Sequence, residues 1–98
     1  MDKIYMLFDN YKFKLVTLNI PSKLISIDEK VMHITEDDIN NLLHILSILP
    51  EKKEKAILDS VRFNIDFGND SYSGNSGTCK NFDLLNDWIG DINDRWRN

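Results

Sequence analysis

The segment VRFNIDFGNDSYSGNSGTCKNFDLLNDWIGDINDRWRN, residues 61–98, contains a strand pattern, a turn-rich stretch and a helix pattern in succession, and this succession decides the fold class. From Val61 to Phe67, apolar residues alternate with polar ones. This alternation is typical of a strand that buries one face. Residues 68–80 are rich in glycine, serine and asparagine, which predicts a long flexible loop. A strand and a helix so close together indicate an α+β fold.

The end of the chain, residues 81–98, is predicted to form an amphipathic helix that Asn81 could cap. At about 100° per residue, the large apolar residues fall in one arc of about 120°, and four aspartates fall within about 80° on the other side. The apolar residues are Phe82, Leu85, Trp88, Ile89, Ile92 and Trp96; the aspartates are Asp83, Asp87, Asp91 and Asp94.

Another helix is predicted to begin after Thr35. The threonine hydroxyl is a capping group, and the acidic residues 36–38 suit the positive end of the helix dipole. Apolar residues recur at helical spacing from Ile39 to Leu49, and Pro50 ends the pattern. A further helix is predicted over about Glu51–Ser60, antiparallel to the first.

The N-terminal third is ambiguous. Residues 4–18 fit helical spacing, but from Tyr11 onwards the chain also alternates as a strand does, and its aromatic and β-branched content favours the strand. Asp9–Asn10 would then form a turn. Ser22 is predicted to cap a short helical turn through Ile27, and Lys30–Ile34 is predicted to be a short strand or a connector.

These patterns together predict one compact α+β domain over residues 1–98. Two to four short antiparallel strands would pack against two or three helices, with the C-terminal amphipathic helix covering one face of the sheet. An all-α bundle is the alternative if the first segment is helical.

Composition narrows the possible functions. The 98 residues carry a net charge of -4, and the one cluster of lysines, residues 52–55, is interleaved with glutamate. Direct nucleic-acid binding needs clustered cations, so we expect none. We also expect no membrane span and no signal peptide, because every apolar run is short. Cys79 is the sole cysteine, which excludes an intramolecular disulfide and favours the cytoplasm.

The turn-rich loop invites a metal or phosphate site, but the match fails in each case. Asn69, Ser71 and Ser73 have the spacing of the first calcium ligands in an EF-hand, yet Lys80 stands where the last carboxylate belongs. The glycine-rich residues 74–78 lack the lysine and hydroxyl residue of a phosphate-binding loop. We therefore expect no metal and no cofactor.

Nor does the sequence contain a convincing set of catalytic residues. Cys79 precedes a helix, where a thiolate is favoured, but a lone cysteine is more often a small buried apolar residue. His33 and His44 do not supply a ligand framework for zinc. We expect that the protein is not an enzyme.

The aspartates of the terminal helix therefore carry the functional hypothesis. Like charges at every fourth residue repel each other, and anions near the end of a helix are unfavourable, so stability alone does not select them. A solvated polar face is the simpler interpretation. The alternative is a surface for a basic protein, formed by Asp83, Asp87, Asp91 and Asp94 with Asp70 and Tyr72 of the loop.

The resulting expectation is a small acidic inhibitor. Its most concrete form is a bacterial toxin-neutralising immunity protein or antitoxin that blocks a basic, nuclease-like active site. A phage-encoded inhibitor of a host defence enzyme would look much the same. A regulatory or assembly subunit is the other alternative, and such a homo-oligomer would use Trp88, Trp96 or an open strand edge.

Overall fold

A computed structural model describes residues 2–49 and 60–96 of the chain, without the side chain of Trp96. The elements in chain order are β1 (Lys3–Asp9), β2 (Leu15–Asn19), β3 (Leu24–Ile27), β4 (Lys30–His33), α1 (Glu36–Ile48), β5 (Arg62–Asp66), β6 (Ser71–Asn75) and α2 (Phe82–Trp96). The predicted α+β fold is confirmed, and the all-α alternative is wrong. The helix predicted over Glu51–Ser60 lies almost entirely outside the described residues.

The strands form one antiparallel sheet in the order β4-β3-β2-β1-β5-β6. The first four strands are joined by short turns and follow one another across the sheet. After α1 the chain returns to the other side of β1, where β5 pairs with β1 and β6 forms the outer edge. The described sheet is therefore larger than the two to four strands that the sequence predicts, and β4 and β6 are its two edges.

Two local predictions are wrong. The helical turn predicted from Ser22 through Ile27 is strand β3, in which Ile25 and Ile27 are buried and pair with β2. The irregular loop predicted for residues 68–80 contains strand β6, whose residues pair along the whole length of β5. In both cases a neighbouring strand supplies backbone hydrogen bonds that the local composition does not reveal.

Other local predictions are confirmed. The strand predicted from Tyr11 onwards is confirmed only from Leu15, where β2 begins. Of the predicted turn Asp9–Asn10, Asn10 lies in the turn with φ of 62°, whereas Asp9 is the last residue of β1. β4 and β5 lie where short strands are predicted. α1 begins with Thr35 as its N-cap: the Asp38 amide donates to the Thr35 hydroxyl and the Thr35 amide donates to the Asp38 carboxylate, at 3.1 and 2.9 Å.

Both helices pack on one face of the sheet and form a single core with it. At the start of α2, the Phe82 ring stacks on Phe63 of β5 at 5.7 Å and meets the edge of Phe8 of β1 at 6.5 Å. These aromatic contacts fix the start of α2 over the centre of the sheet. The buried sheet residues include Ile4, Met6, Val16, Leu18, Ile25, Ile27 and Ile65.

The opposite face of the sheet carries no helix among the described elements, and we call it the open face. Its polar residues include Lys3, Asn64, Asp66 and Ser73, but Tyr5, Leu7 and Val31 are 40%, 51% and 52% exposed. The sheet thus separates a helix-covered core from a surface of mixed polarity.

Candidate partner-binding site

The four aspartates of α2 lie on the surface. Asp83, Asp87, Asp91 and Asp94 are all exposed, and we call this surface the acidic face. On the other side of the same helix, the described members of the apolar arc are buried in the core, with Leu85 and Ile89 completely inaccessible to solvent. Because the core fixes which side of α2 turns inward, the aspartates are held outward by the packing of the whole domain.

Asp38 of α1 fixes the far end of α2. Its carboxylate accepts two hydrogen bonds from the Arg95 guanidinium, at 2.7 and 3.0 Å, and its backbone carbonyl accepts one from the Trp88 indole at 3.1 Å. Trp88 is buried and 8% exposed, so the alternative that uses Trp88 as an exposed contact in a homo-oligomer is wrong. The side chain of Trp96, the other proposed contact, lies outside the described part.

The paired guanidinium also changes the titration of Asp38. The hydrogen bonds from Arg95 are the largest cause that lowers the pKa of Asp38 from 3.8 to about 2, and the Thr35 bonds lower it further against the effect of burial. The same interaction raises the pKa of Arg95. Arg95 is the one cation in the described part of α2, and its charge is engaged by Asp38. Asp91 of the acidic face also attracts the charge of Arg95, so the negative charge of this face is partly offset at the end of α2.

Tyr11 connects the acidic face to the sheet. Its hydroxyl donates to the side-chain oxygen of Asn86 on α2. Burial, and to a smaller extent the charge of Asp87, raises the pKa of Tyr11 to about 12. Lys12 and Lys14 line the same hollow as Tyr11 and Asn86, so cations border the acidic face at this end. At this end, the acidic face is therefore ordered by the bond between Tyr11 and Asn86 and is bordered by the cations Lys12 and Lys14.

One residue of this surface is missing from the sequence prediction. Leu84 is 44% exposed. On a helical wheel it lies about 60° from Asp87, between the aspartates and the buried arc. Its position at this boundary could have indicated it from the sequence, because an apolar residue between the polar and apolar sides of a helix can face either the solvent or the core. An exposed leucine beside a carboxylate surface gives a partner an apolar contact as well as a charged one.

Asp70 and Tyr72, which the sequence predicts in a flexible loop, lie in the β5–β6 turn and in strand β6. Tyr72 is half-buried at the edge of the sheet, and its hydroxyl donates to the Leu46 carbonyl near the end of α1, at 2.8 Å. Burial raises the pKa of Tyr72. Asp70 is exposed in the turn between β5 and β6, where its carboxylate accepts the Ser71 amide at 2.9 Å. Tyr72 therefore anchors α1 to the sheet, while Asp70 remains accessible.

The residues considered for phosphate binding and for nucleophilic catalysis make hydrogen bonds within the protein. The Asn75 side-chain oxygen accepts the amides of Gly77 and Thr78, at 2.9 and 3.1 Å, so these amides are not directed at a phosphate. Cys79 is buried, and its thiol donates to the Leu49 carbonyl at 3.1 Å. Within residues 2–49 and 60–96, no group of three or more histidine, cysteine or acidic side chains is arranged to hold a metal ion.

An apolar-lined hollow lies elsewhere in the described structure, on the open face. Its volume is about 370 Å³, and it runs over β1, β5 and β6. Leu7, Arg62 and Asn64 are among the residues that border it. Arg62 also approaches Asp9 across the strands at 3.8 Å, with both side chains well exposed. The hollow is therefore shallow and contains few charges.

Comparison with known protein families, curated proteins and solved structures finds no match to this chain. In the part of the chain that the structure describes, no helix is both long and apolar enough to cross a lipid bilayer.

Proposed function

We propose that this protein is a small acidic inhibitor that binds a basic protein partner through the acidic face of α2. The observation that supports it best is the fixed outward orientation of Asp83, Asp87, Asp91 and Asp94. An anionic surface of this kind accelerates association with a cationic partner and suppresses binding to acidic ones. The described apolar side chains from Phe82 to Ile92 on the inner side of α2 are buried in the core, so this part of the helix is not available to insert into a groove.

The surroundings of the acidic face support a specific contact. Leu84 supplies an exposed apolar side chain beside the carboxylates, and interfaces of moderate affinity combine an apolar centre with a polar rim. The helix is held at both ends, by Phe82 against the sheet and by Arg95 against Asp38. A surface that is ordered before binding loses little conformational entropy on association.

The most concrete form of this proposal is a bacterial toxin-neutralising immunity protein or antitoxin. The partner would be a nuclease-like toxin whose active site is basic because it binds nucleic acid, and the aspartates would occupy the positions of its phosphates. Such an inhibitor acts in the cytoplasm, carries out no catalysis and needs no cofactor. A phage-encoded inhibitor of a host defence enzyme would use the same surface.

The test is capture of the partner with a matched pair of variants. The protein is tagged and used to recover binding proteins from cells of its source, in parallel with the double variant Asp87→Lys with Asp91→Lys. A control variant with the same net charge, Asp2→Lys with Asp37→Lys, changes exposed residues outside the acidic face. Thermal unfolding of all three proteins establishes that the fold is intact.

The proposal expects a basic protein that the wild type and the control recover equally. The acidic-face variant should recover far less of it. At about 1 kcal/mol for each exposed ion pair, loss of two pairs weakens binding by about thirtyfold. Equal recovery by the two variants would exclude the acidic face from the interface, and recovery of an acidic partner would exclude the electrostatic basis.

A further inference from the structure

The two edges of the sheet are not equivalent. Hydrogen-bonded and non-hydrogen-bonded pairs alternate along an antiparallel ladder. In the β3–β4 ladder, the Ile34 amide donates to the Lys23 carbonyl, which makes this pair hydrogen-bonded. With Ile25 opposite Met32, the register then directs the backbone groups of Val31 and His33 away from β3. No bond within the described part of the chain occupies these groups.

The other edge, β6, is largely closed by its own side chains and by the following turn. Its outward-directed residues are Ser71, Ser73 and Asn75, because the Ser76 amide donates to Val61 and sets the alternation. The Ser71 amide is taken by the Asp70 carboxylate at 2.9 Å. The Asn75 carbonyl accepts the Cys79 amide at 3.0 Å. Blocking of an edge in this way prevents pairing with another strand, and β4 lacks it.

The β4 edge also carries an exposed apolar side chain at its centre. Val31 is 52% exposed on the open face. His33, two residues after it in β4, and Glu29, in the turn between β3 and β4, are both exposed. An unblocked edge with a central β-branched residue is suited to pairing with a further strand. The flanking residues have complementary character, because a carboxylate accepts the hydrogen bond that an imidazole donates.

We infer that β4 pairs antiparallel with β4 of a second copy of this chain, with Val31 opposite Val31. A two-fold axis through that pair brings Glu29, in the turn before β4 of each copy, close to His33 of the other, so the pattern is complementary to itself, as an isologous interface requires. Lys30 then lies opposite Met32, where its aliphatic stem covers the thioether while its ammonium reaches solvent. The two sheets become one continuous sheet of twice the size.

This dimer is independent of the proposed inhibitor function, because β4 and the acidic face of α2 are different surfaces. The dimer can form whether or not the acidic face binds a partner, and the acidic face can bind a partner whether or not the dimer forms. If both proposals are correct, the dimer presents two acidic faces.

The first experiment measures molar mass by sedimentation over a concentration series for the full-length protein and two single variants. Val31→Lys places two ammonium groups opposite each other at the two-fold axis. Ser73→Lys makes the equivalent change on the β6 edge and is the matched control. We expect a concentration-dependent dimer for the wild type and the control, and dissociation at least tenfold more favourable for Val31→Lys. A wild type that stays monomeric at every concentration, or a dimer that Val31→Lys leaves intact, would overturn the inference.

Charge changes at the flanking pair provide a test in both directions. His33→Lys creates two ion pairs with Glu29 and should strengthen the dimer by about tenfold, whereas His33→Glu places carboxylates opposite each other and should weaken it similarly. Both residues are exposed, so neither change disturbs the core. Equal effects of the two variants would overturn the proposed facing of His33 and Glu29.

Crosslinking establishes the register. In the proposed pairing, the Val31 Cα atoms lie about 5.5 Å apart, within reach of a disulfide. The two His33 residues are separated by about 14 Å along the strands. Under oxidation, Val31→Cys should form a covalent dimer and His33→Cys should not. A covalent dimer from His33→Cys with none from Val31→Cys would show that the strands pair differently.

Discussion

Replacement of Asp38 by asparagine should destabilise the protein by an amount that depends on pH. The carboxylate accepts the Thr35 amide at the start of α1 and the guanidinium of Arg95 on α2. The fall in the pKa of Asp38 from 3.8 to about 2 corresponds to about 2 kcal/mol of folding free energy at neutral pH. The Arg95 side chain is 51% exposed, so solvent screens part of this interaction and about 2 kcal/mol is its upper value.

The direction of the pH dependence follows from the lower pKa in the folded state. The stabilisation by Asp38 is complete above about pH 4, where the carboxylate is ionised even in the unfolded chain. It decreases as the pH falls towards 2, because the unfolded chain binds its proton first. The difference in unfolding free energy between wild type and Asp38→Asn should therefore be about 1–2 kcal/mol at pH 7 and close to zero at pH 2.

Urea unfolding monitored by tryptophan fluorescence is the suitable assay, because buried Trp88 donates to the Asp38 carbonyl. Arg95→Met should reproduce most of the loss, and the double variant should cost little more than either single one, because the two residues act as a pair. Asp37→Asn is the control, since that neighbouring residue is exposed. An Asp38→Asn variant as stable as the wild type at pH 7, or a difference that does not shrink in acid, would refute this reasoning.

Four further predictions concern α2 and its contacts. Tyr11→Phe removes the hydrogen bond to Asn86 and should lower the free energy of unfolding in urea by about 1 kcal/mol. Asp87→Asn should lower the pKa of Tyr11 from about 12, measured by spectrophotometric titration. An unchanged pKa would show that Asp87 does not act on Tyr11. Ile89→Ala, in the core, should destabilise by about 2–5 kcal/mol, measured in the same way. Leu84→Ala should change stability by less than about 0.5 kcal/mol yet reduce recovery of the partner; a large loss of stability would place Leu84 in the core.

Local sequence patterns predicted those elements whose signals are contained within a few residues. Thr35 followed by three acidic residues specifies the start of α1, because the cap and the dipole act within one turn. The alternation from Val61 to Phe67 specifies β5 for the same reason. Strand β6 was missed because Ser71, Gly74 and Asn75 favour turns on their own. Its strand conformation comes from pairing with β5, which sequence composition does not show.

In the candidate site too, features set by neighbouring residues could be predicted from the sequence, whereas contacts between distant residues could not. Helical periodicity correctly placed the aspartates of α2 on the surface and Phe82, Leu85, Trp88, Ile89 and Ile92 in the core. The bond between Asp38 and Arg95 joins residues 57 positions apart, and the bond from Tyr72 to Leu46 joins residues 26 apart. Contacts at such separation depend on the packing of complete elements. They therefore could not be predicted from spacing along the chain.

The most direct test of the central claim is the salt dependence of the affinity between this protein and the partner that it recovers. The account predicts that the dissociation constant of the wild type rises steeply with salt concentration. For Asp87→Lys with Asp91→Lys, the dissociation constant should be about thirtyfold higher at low salt, with a much weaker dependence on salt. Identical affinities and identical salt dependence for the two proteins would contradict the claim that the acidic face of α2 is the binding surface.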